Sequence, residues 1–243
     1  MKTVAIIQAR MGSTRLPGKV LKRLEDDTVL GHVVHRLQAV DNIDEIVVAT
    51  TTNSEDDVIE SKMNTYGIKV YRGNEQNVLS RYYEAAVKAE ADIIIRITSD
   101  CPLIDPDVTA AVIRFFHAEN ADYVSNSLER SFPRGLDTEV FLMSVLQKAF
   151  ENAVSPEHLE HVTPYIYQNP HSFKLASYTN EIDYSSYRWT LDTQEDWELI
   201  NEIYRRLYAK NSMFGWRQVI GLMKEYPELP MINAHVEQKK LGQ

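Results

Sequence analysis

The chain has 243 residues, of which 44% are apolar and 25% charged, a composition ordinary for a globular domain with a sizeable core. A formal net charge of −9 argues against general nucleic-acid binders and membrane-surface binders, because both need a basic face. Cys101 is the only cysteine and no apolar run reaches membrane-spanning length, so we expect a cytoplasmic protein without intrachain disulfides.

Strand-like and helix-like segments alternate through the first half of the chain. Short runs, most of them rich in β-branched residues, predict buried strands at 3–8, 45–50, 68–72, 92–98 and 122–126. Helical patterns lie between them at 29–40, 54–67, 77–91 and 106–120, with Ser54 as a predicted N-cap and Asp105 capping the helix that starts at Pro106. This alternation indicates an α/β fold with a mostly parallel sheet covered by helices on both faces.

The second half is less regular. Its pattern predicts a loop entering a strand at 132–142, further strands at 173–179 and 187–192, and helices at 155–170, 193–210 and 216–226. There is no internal repeat and no clear linker. We therefore predict a single domain over 1–243, with 128–170 as an inserted or covering lobe. Acceptor binding or dimerisation by this lobe is an expectation from the family resemblance given below.

A basic, glycine-containing loop follows the first predicted strand and reads QARMGSTRLPGKVL. Gly12 and Gly18 permit tight turns, while Arg10, Arg15 and Lys19 supply positive charge. The loop is not a P-loop, because five residues separate the glycines and no hydroxyl residue follows the lysine, and it is not a dinucleotide fingerprint. Its position at a strand exit favours phosphate binding over the alternative, a basic surface turn.

Two carboxylates are predicted to lie at the same edge of the sheet as this loop. Asp100 follows the strand at 92–98, and Asp192 ends the segment that precedes the helix at 193–210. A pair of carboxylates beside a triphosphate is typical of Mg²⁺ binding. Either residue could instead cap the next turn, although Thr193 with Asp196 has the spacing of a capping box and can cap that helix without Asp192.

The segment FPRGLDTEVF indicates a polar acceptor surface. Arg134 lies beside a flexible glycine, Gly135, and Asp137 and Glu139 are predicted to alternate on one outward strand face. A solvated hairpin is an equally good interpretation of this pattern.

Two histidines stand in the segment EHLEH. His158 and His161 lack a third ligand nearby, so the pattern favours a packed helix with one histidine near the acceptor over a zinc site. Cys101 has no paired histidine signature and is predicted to be a small buried residue beside the site.

The whole pattern resembles the nucleotide-sugar cytidylyltransferases, in particular the SpsF-like branch named for spore-coat polysaccharide synthesis. Relatives of that branch activate acidic sugars such as Kdo and sialic acid. The matching blocks occur in the family's order and read IIQARMGSTRLPGKVL, GNEQNVLSRYYEAA, RITSDCPLIDPDV, FPRGLDTEVF, EHVTPYIY and WTLDTQEDWELI. The resemblance implies a three-layer nucleotide-diphosphosugar transferase-like fold and a reaction in which CTP and an acceptor give CMP-acceptor and pyrophosphate.

The resemblance also assigns roles to residues. CTP would be held by Ala9, Arg10, Gly12, Ser13, Arg15 and Lys19, with Gly73, Asn74 and Arg81 in the block that lines base and ribose. Asp100 and Asp192 match the metal-binding aspartates, and we expect Arg10, Arg15 and Lys19 to neutralise the departing pyrophosphate. The acceptor would be oriented by Arg134, Asp137, Glu139, His161 and Arg188.

One departure concerns the acceptor. The Kdo-activating relatives have glycine–aspartate–glutamate–proline where this chain has Ser99-Asp100-Cys101-Pro102, so the metal aspartate is kept while its neighbours differ. Small-molecule substrates, Mg²⁺ and a homodimer are expected by analogy. The alternatives are a glycosyltransferase of the same fold, which would usually carry a D-x-D motif, and a non-catalytic nucleotide-binding protein.

Overall fold

The computed structural model describes residues 1–238, which form a seven-stranded central sheet and a small two-stranded hairpin. The strands are β1 (Thr3–Gln8), β2 (Arg23–Leu24), β3 (Asp27–Thr28), β4 (Glu45–Thr51), β5 (Lys69–Gly73), β6 (Ile93–Thr98), β7 (Tyr123–Ser125), β8 (Glu139–Leu142) and β9 (Leu175–Ser177). The helices are α1 (Val29–Gln38), α2 (Asp57–Thr65), α3 (Val78–Lys88), α4 (Pro106–Glu119), α5 (Met143–Asn152), α6 (Pro156–His161), α7 (Pro164–Tyr167), α8 (Gln194–Leu207) and α9 (Trp216–Glu225).

The central sheet has the strand order β5-β4-β1-β6-β8-β7-β9 and is mostly parallel. Only β8 runs antiparallel to its neighbours β6 and β7. Gln8 at the end of β1 lies opposite Thr98 at the end of β6, so both strands end at one edge of the sheet. The segments that follow these strands, the basic loop and Asp100, are therefore neighbours.

Helices cover both faces of the sheet, as the sequence predicts. Ala5 and Ile7 of β1 belong to one core, and Val4 and Ile6 belong to the other, because successive strand residues point to opposite faces. The first core is completed by α1, α2, α4, α8 and α9, and the second by α3, α5 and α7. The α/β prediction is confirmed, with both faces of the parallel strands buried.

Two local predictions are wrong. The segment 54–67 opens with a 3₁₀ helix, Ser54–Asp56, so Ser54 lies inside a helical turn instead of capping α2. The segment 187–192 forms no regular strand and makes only an isolated bridge. The reason is that its main chain bonds to loops: Trp189 N donates to Arg134 O at 2.7 Å, and Leu191 N donates to Asp100 O at 2.8 Å.

The segment 128–170 is not a separate lobe throughout its length. Its strand β8 lies inside the central sheet between β6 and β7, and Phe141 of that strand is fully buried in the second core. Val145 and Leu146 of α5 pack into the same core. No helix among the described residues is long and apolar enough to cross a bilayer.

Candidate active site

The basic loop leaves the carboxyl end of β1 and folds back on itself. Met11 O accepts hydrogen bonds from Ser13 N at 2.8 Å and Gly18 N at 3.2 Å, and Gly18 has a left-handed φ of 68°. A buried carboxylate anchors the loop, because Met11 N donates to Asp56 Oδ1 at 2.7 Å. No pattern in the sequence predicted this role for Asp56, which lies in the 3₁₀ turn after β4.

Asp100 and Asp192 converge on one ammonium group. Lys19 Nζ lies 2.8 Å from Asp100 Oδ2 and 2.8 Å from Asp192 Oδ1, and it also donates to Leu191 O at 2.7 Å. Asp100 Oδ1 accepts from Thr98 Oγ1 at 2.7 Å. The basic loop, the end of β6 and the irregular segment before α8 therefore meet at this point.

Lys19 and Asp100 stabilise each other's ionised forms. Burial lowers the pKa of Lys19, but the charges of Asp100 and Asp192 outweigh burial and raise it to about 12. Burial raises the pKa of Asp100, but the ammonium and its hydrogen bond outweigh burial and lower it below the ordinary value. Lys19 and Asp100 are thus charged at neutral pH.

Arginines from the basic loop and from α3 lie near this cluster. Arg15 Nη2 lies 3.0 Å from Asp192 Oδ2, whereas Arg10 Nη1 has only a long contact of 3.4 Å with Glu75 Oε1. Arg81 is buried, and its Nη1 donates to Asn74 O at 2.8 Å. Burial lowers the pKa of Arg81, which stays charged because arginine does not deprotonate in proteins.

These groups line a polar cavity of about 370 Å³. Of the residues assigned from sequence, it contains Ala9, Arg10, Gly12, Ser13, Arg15, Lys19, Arg81, Asp100, Arg134, Asp137, His161 and Asp192. Residues far apart in the chain, from Ala9 to Asp192, therefore share one site. The alternative of a basic surface turn does not describe this loop.

Four assigned residues do not line the cavity. Gly73 ends β5, and Asn74 Oδ1 accepts from the main chain of Gln76 and Asn77, so Asn74 acts on the site only through its carbonyl contact with Arg81. Arg188 is bound to Asp192 and Asp196. The fourth residue, Glu139, is described next.

The prediction that Asp137 and Glu139 share an outward strand face is wrong. The strand begins only at Glu139, whose buried carboxylate pairs with Arg96 and accepts from Tyr123 Oη at 2.5 Å and Thr163 Oγ1 at 2.6 Å. Its oxygens are therefore occupied inside the protein. Asp137 does line the cavity, where Arg130 holds it with two hydrogen bonds of 2.5 and 2.9 Å.

Arg134 and His161, which the sequence assigned to the acceptor, also line the cavity. Within the described part of the chain, no carboxylate lies within 4.0 Å of the Arg134 guanidinium, and burial together with Arg130 lowers its pKa below the ordinary value. Burial also lowers the pKa of His161, so that its imidazole is neutral at neutral pH. Arg134 is thus a charged group without an anionic partner in these residues.

Sequence reasoning missed several lining residues, including Gln8, Arg96, Thr98, Glu160 and Thr190. Arg96 was not identified because it lies inside an apolar strand, although a charged residue at such a position itself indicates a buried partner.

The position of His158 disfavours a zinc site, since its Nε2 contacts Gln168 Oε1 at 2.8 Å. Burial raises the pKa of the Cys101 thiol well above its ordinary value, as for a packed side chain.

The donor set of Asp100 and Asp192 fits Mg²⁺. Their oxygens already hold one cation, the Lys19 ammonium, between them. No cluster of three or more His, Cys, Asp or Glu suited to a metal occurs in residues 1–238. Mg²⁺ does not require such a cluster, because it binds one or two carboxylates and takes its other oxygens from phosphates and water.

A comparison with known proteins decides the family. The family model for cytidylyltransferases matches residues 4–220. The chain belongs to the cytidylyltransferase family. The spore coat polysaccharide biosynthesis protein SpsF of Bacillus subtilis is 34% identical over 230 residues, which cover 92% of this chain and 94% of the relative.

Two further proteins support the assignment. A solved cytidylyltransferase structure from Leptospira borgpetersenii has a TM-score of 0.91 and 35% identity, with 99% of each chain covered. A 3-deoxy-manno-octulosonate cytidylyltransferase from Solibacter usitatus is 33% identical over 119 residues, covering 48% of this chain and 46% of the relative. This cytidylyltransferase is a CTP-dependent enzyme of the SpsF-like branch. Family membership therefore excludes the two alternatives, a glycosyltransferase and a non-catalytic nucleotide-binding protein.

Proposed function

We propose that this cytidylyltransferase transfers CMP from CTP to an acidic, sugar-type acceptor and releases pyrophosphate, as a step in polysaccharide or cell-surface glycan synthesis. The observation that carries the proposal is the convergence of Asp100 and Asp192 on Lys19, within a cavity that the basic loop also lines. Family membership and the similarity to SpsF support the biosynthetic role.

The charges around the cavity support an acidic acceptor. Two guanidiniums near the cavity, Arg130 and Arg96, already have carboxylate partners in Asp137 and Glu139. Arg134 has none among the described residues, so an anionic group on the acceptor would supply the missing partner. Arginine suits a carboxylate or a phosphate, because its planar fork can donate two parallel hydrogen bonds.

The reaction would be an in-line attack by an acceptor oxygen on the α-phosphorus of CTP, with pyrophosphate leaving on the opposite side. Arg10 and Arg15 lie on the loop that would hold the phosphates and would neutralise charge on the departing pyrophosphate. Asp137, oriented by Arg130, would accept a hydrogen bond from an acceptor hydroxyl. Mg²⁺ held by Asp100 and Asp192 would polarise the α-phosphate and lower the pKa of the acceptor hydroxyl.

A screen of the four nucleoside triphosphates against sugar acids and matched neutral sugars tests this function. Pyrophosphate release is expected with CTP and a sugar acid, and not with CTP alone or with the neutral sugar of the same size. Release that is equal for charged and neutral acceptors would contradict the acidic-acceptor assignment, and release without any acceptor would contradict the transfer.

The two aspartates provide a sharper prediction. Asp100→Asn and Asp192→Asn should each lower turnover by about 100-fold or more, because transition-state charge loses its metal partner. CTP binding measured without metal should change far less. As a control, Asp105→Asn alters a buried helix-capping carboxylate outside the cavity and should keep its turnover. Full activity in either cavity variant would reject the two-carboxylate scheme.

A further inference from the structure

Arg188 uses four hydrogen bonds to connect the site with the rest of the molecule. Its Nε and Nη2 donate to the two oxygens of Asp196 at 2.9 and 3.0 Å, and the same Nη2 donates to Asp192 Oδ2 at 2.9 Å. Its Nη1 donates to Gln238 Oε1 at 2.5 Å. With only 7% of its side chain exposed, Arg188 has little capacity left to bind a substrate.

Asp196 holds the main chain of the same region. Its fully buried carboxylate accepts from Asp192 N at 2.9 Å and Thr193 N at 3.1 Å. The main chain of Asp192 is therefore held by Asp196, and its side chain is held by Arg188 together with Lys19 and Arg15. The two contacts belong together, because Arg188 and Asp196 are themselves joined by two hydrogen bonds.

The segment after α9 completes the arrangement. Asn233, which is buried, donates from Nδ2 to Arg188 O at 2.9 Å and to Asp196 Oδ1 at 2.8 Å. Asn233 and Gln238 both lie beyond residue 220, where the match to the family model ends. The segment that carries them thus contacts Arg188 and Asp196, the residues that hold Asp192, although it lies outside the region that the family model matches.

Asp192 needs such a support because it does not follow a regular strand. Asp100 is placed by β6, whose ladder with β1 extends to Thr98. The segment 187–192 has only an isolated bridge at Arg188, so no ladder fixes the direction of the Asp192 side chain. Hydrogen bonds to a metal-binding carboxylate orient it, and their loss typically lowers metal affinity or activity about 10–100-fold.

We propose that Arg188, Asp196 and Asn233 form a positioning network that holds Asp192 ready to bind the metal, and that Arg188 acts through Asp192 instead of contacting the acceptor. This inference rests on the proposed function, in which Asp192 is a metal ligand. In this network, the segment after α9 helps to hold Asp192 in place through Asn233.

Arg188→Lys tests the network while preserving charge. A lysine keeps the positive charge near Asp192 but cannot hold Asp192 and Asp196 with one planar fork. Arg36→Lys is the matched control, because Arg36 is also buried and donates to the main-chain oxygens of Ile104 and Phe214, away from the cavity. The readout is Mn²⁺ binding in the presence of CTP, followed by electron paramagnetic resonance without acceptor, with thermal unfolding measured in parallel.

The Mn²⁺ dissociation constant should rise about tenfold or more in Arg188→Lys and stay unchanged in Arg36→Lys. Asn233→Ala, which changes no charge, should weaken Mn²⁺ binding in the same direction by less. Wild-type Mn²⁺ binding in both Arg188→Lys and Asn233→Ala would overturn the network, and a rise only in the acceptor KM would make Arg188 an acceptor residue. If the wild-type enzyme binds no Mn²⁺ with CTP, the metal assignment itself fails and this inference fails with it.

Discussion

Lys19 has a different environment from the other cations of its loop. Three acceptors surround its ammonium, so in this structure its charge balances Asp100 and Asp192. Among the described residues, Arg10 has one long ion pair, 3.4 Å to Glu75, and its side chain is partly exposed, so less holds it away from a phosphate than holds Lys19. At the scale of single residues, Lys19 thus interacts with the two carboxylates, although it belongs to the basic loop.

This environment predicts that Lys19→Met destabilises the protein. Removing the ammonium leaves two mostly buried carboxylates facing each other, which should cost roughly 2–4 kcal/mol of unfolding free energy. Added MgCl2 should raise the unfolding temperature of the variant more than that of wild type, because a cation that binds only the folded state stabilises it. Lys88→Met, at an exposed helix position, is the control. An equal response to MgCl2 in Lys19→Met and wild type would contradict the prediction.

At the scale of elements, the sequence predicted what depends on local patterns. Strands such as β1 and β6 appear as apolar runs, and Thr193 with Asp196 forms the expected capping box at α8. The strand prediction for 187–192 was wrong because the residues there have a strand-like pattern, whereas their hydrogen-bond partners lie in loops distant in sequence. Two partners were hidden for the same reason, because Arg96 lies 43 positions from Glu139 and Gln238 lies 50 positions from Arg188. No spacing rule relates residues so far apart.

The contact between the loop at Gly135 and the segment at Trp189 offers a test of this element. Gly135 has φ of 101°, and a Cβ there would lie 2.6 Å from the carbonyl carbon and oxygen of Trp189. Gly67 is the matched control, since it has a left-handed φ of 68° and open space around it. Gly67→Ala should cost about 1 kcal/mol of stability from backbone strain alone.

Gly135→Ala should cost clearly more than Gly67→Ala, because the Trp189 main chain must also move. The acceptor KM should rise as well, because Arg134 and Asp137 line the cavity and would move with the displaced loop. Urea unfolding of both variants, together with acceptor KM at saturating CTP, measures the difference. Equal stability losses with an unchanged KM would show that the loop adapts without disturbing the site.

At the scale of the whole molecule, the site is a local region of positive charge in a protein of net charge −9. Arg10, Arg15 and Arg81 gather at one cavity because β1 and β6 end at the same edge and α3 brings Arg81 beside them. Sheet topology, rather than overall composition, thus brings these positive charges together. In a protein of this net charge, a polyanion would need such a local positive patch to bind.

The sheet also predicts that the chain unfolds as one unit. A separate lobe over 128–170 would unfold independently, whereas β8 lies between β6 and β7 and its Phe141 is buried in the second core. Phe141→Ala should cost about 3–5 kcal/mol from lost packing. Far-UV circular dichroism reports the whole chain, while tryptophan fluorescence reports residues 189, 197 and 216, which lie outside the segment and on the first core.

If the fold is cooperative, Phe141→Ala should shift the urea midpoints of both probes by the same amount, because unfolding one core unfolds the other through the shared sheet. Ile7→Ala, on the first core, is the matched variant and should also move both probes together. A fluorescence midpoint that stays at its wild-type value in Phe141→Ala, beside a two-step dichroism curve, would establish 128–170 as an independent unit. Because β8 contributes hydrogen bonds to strands on both sides, we expect a single transition in both variants.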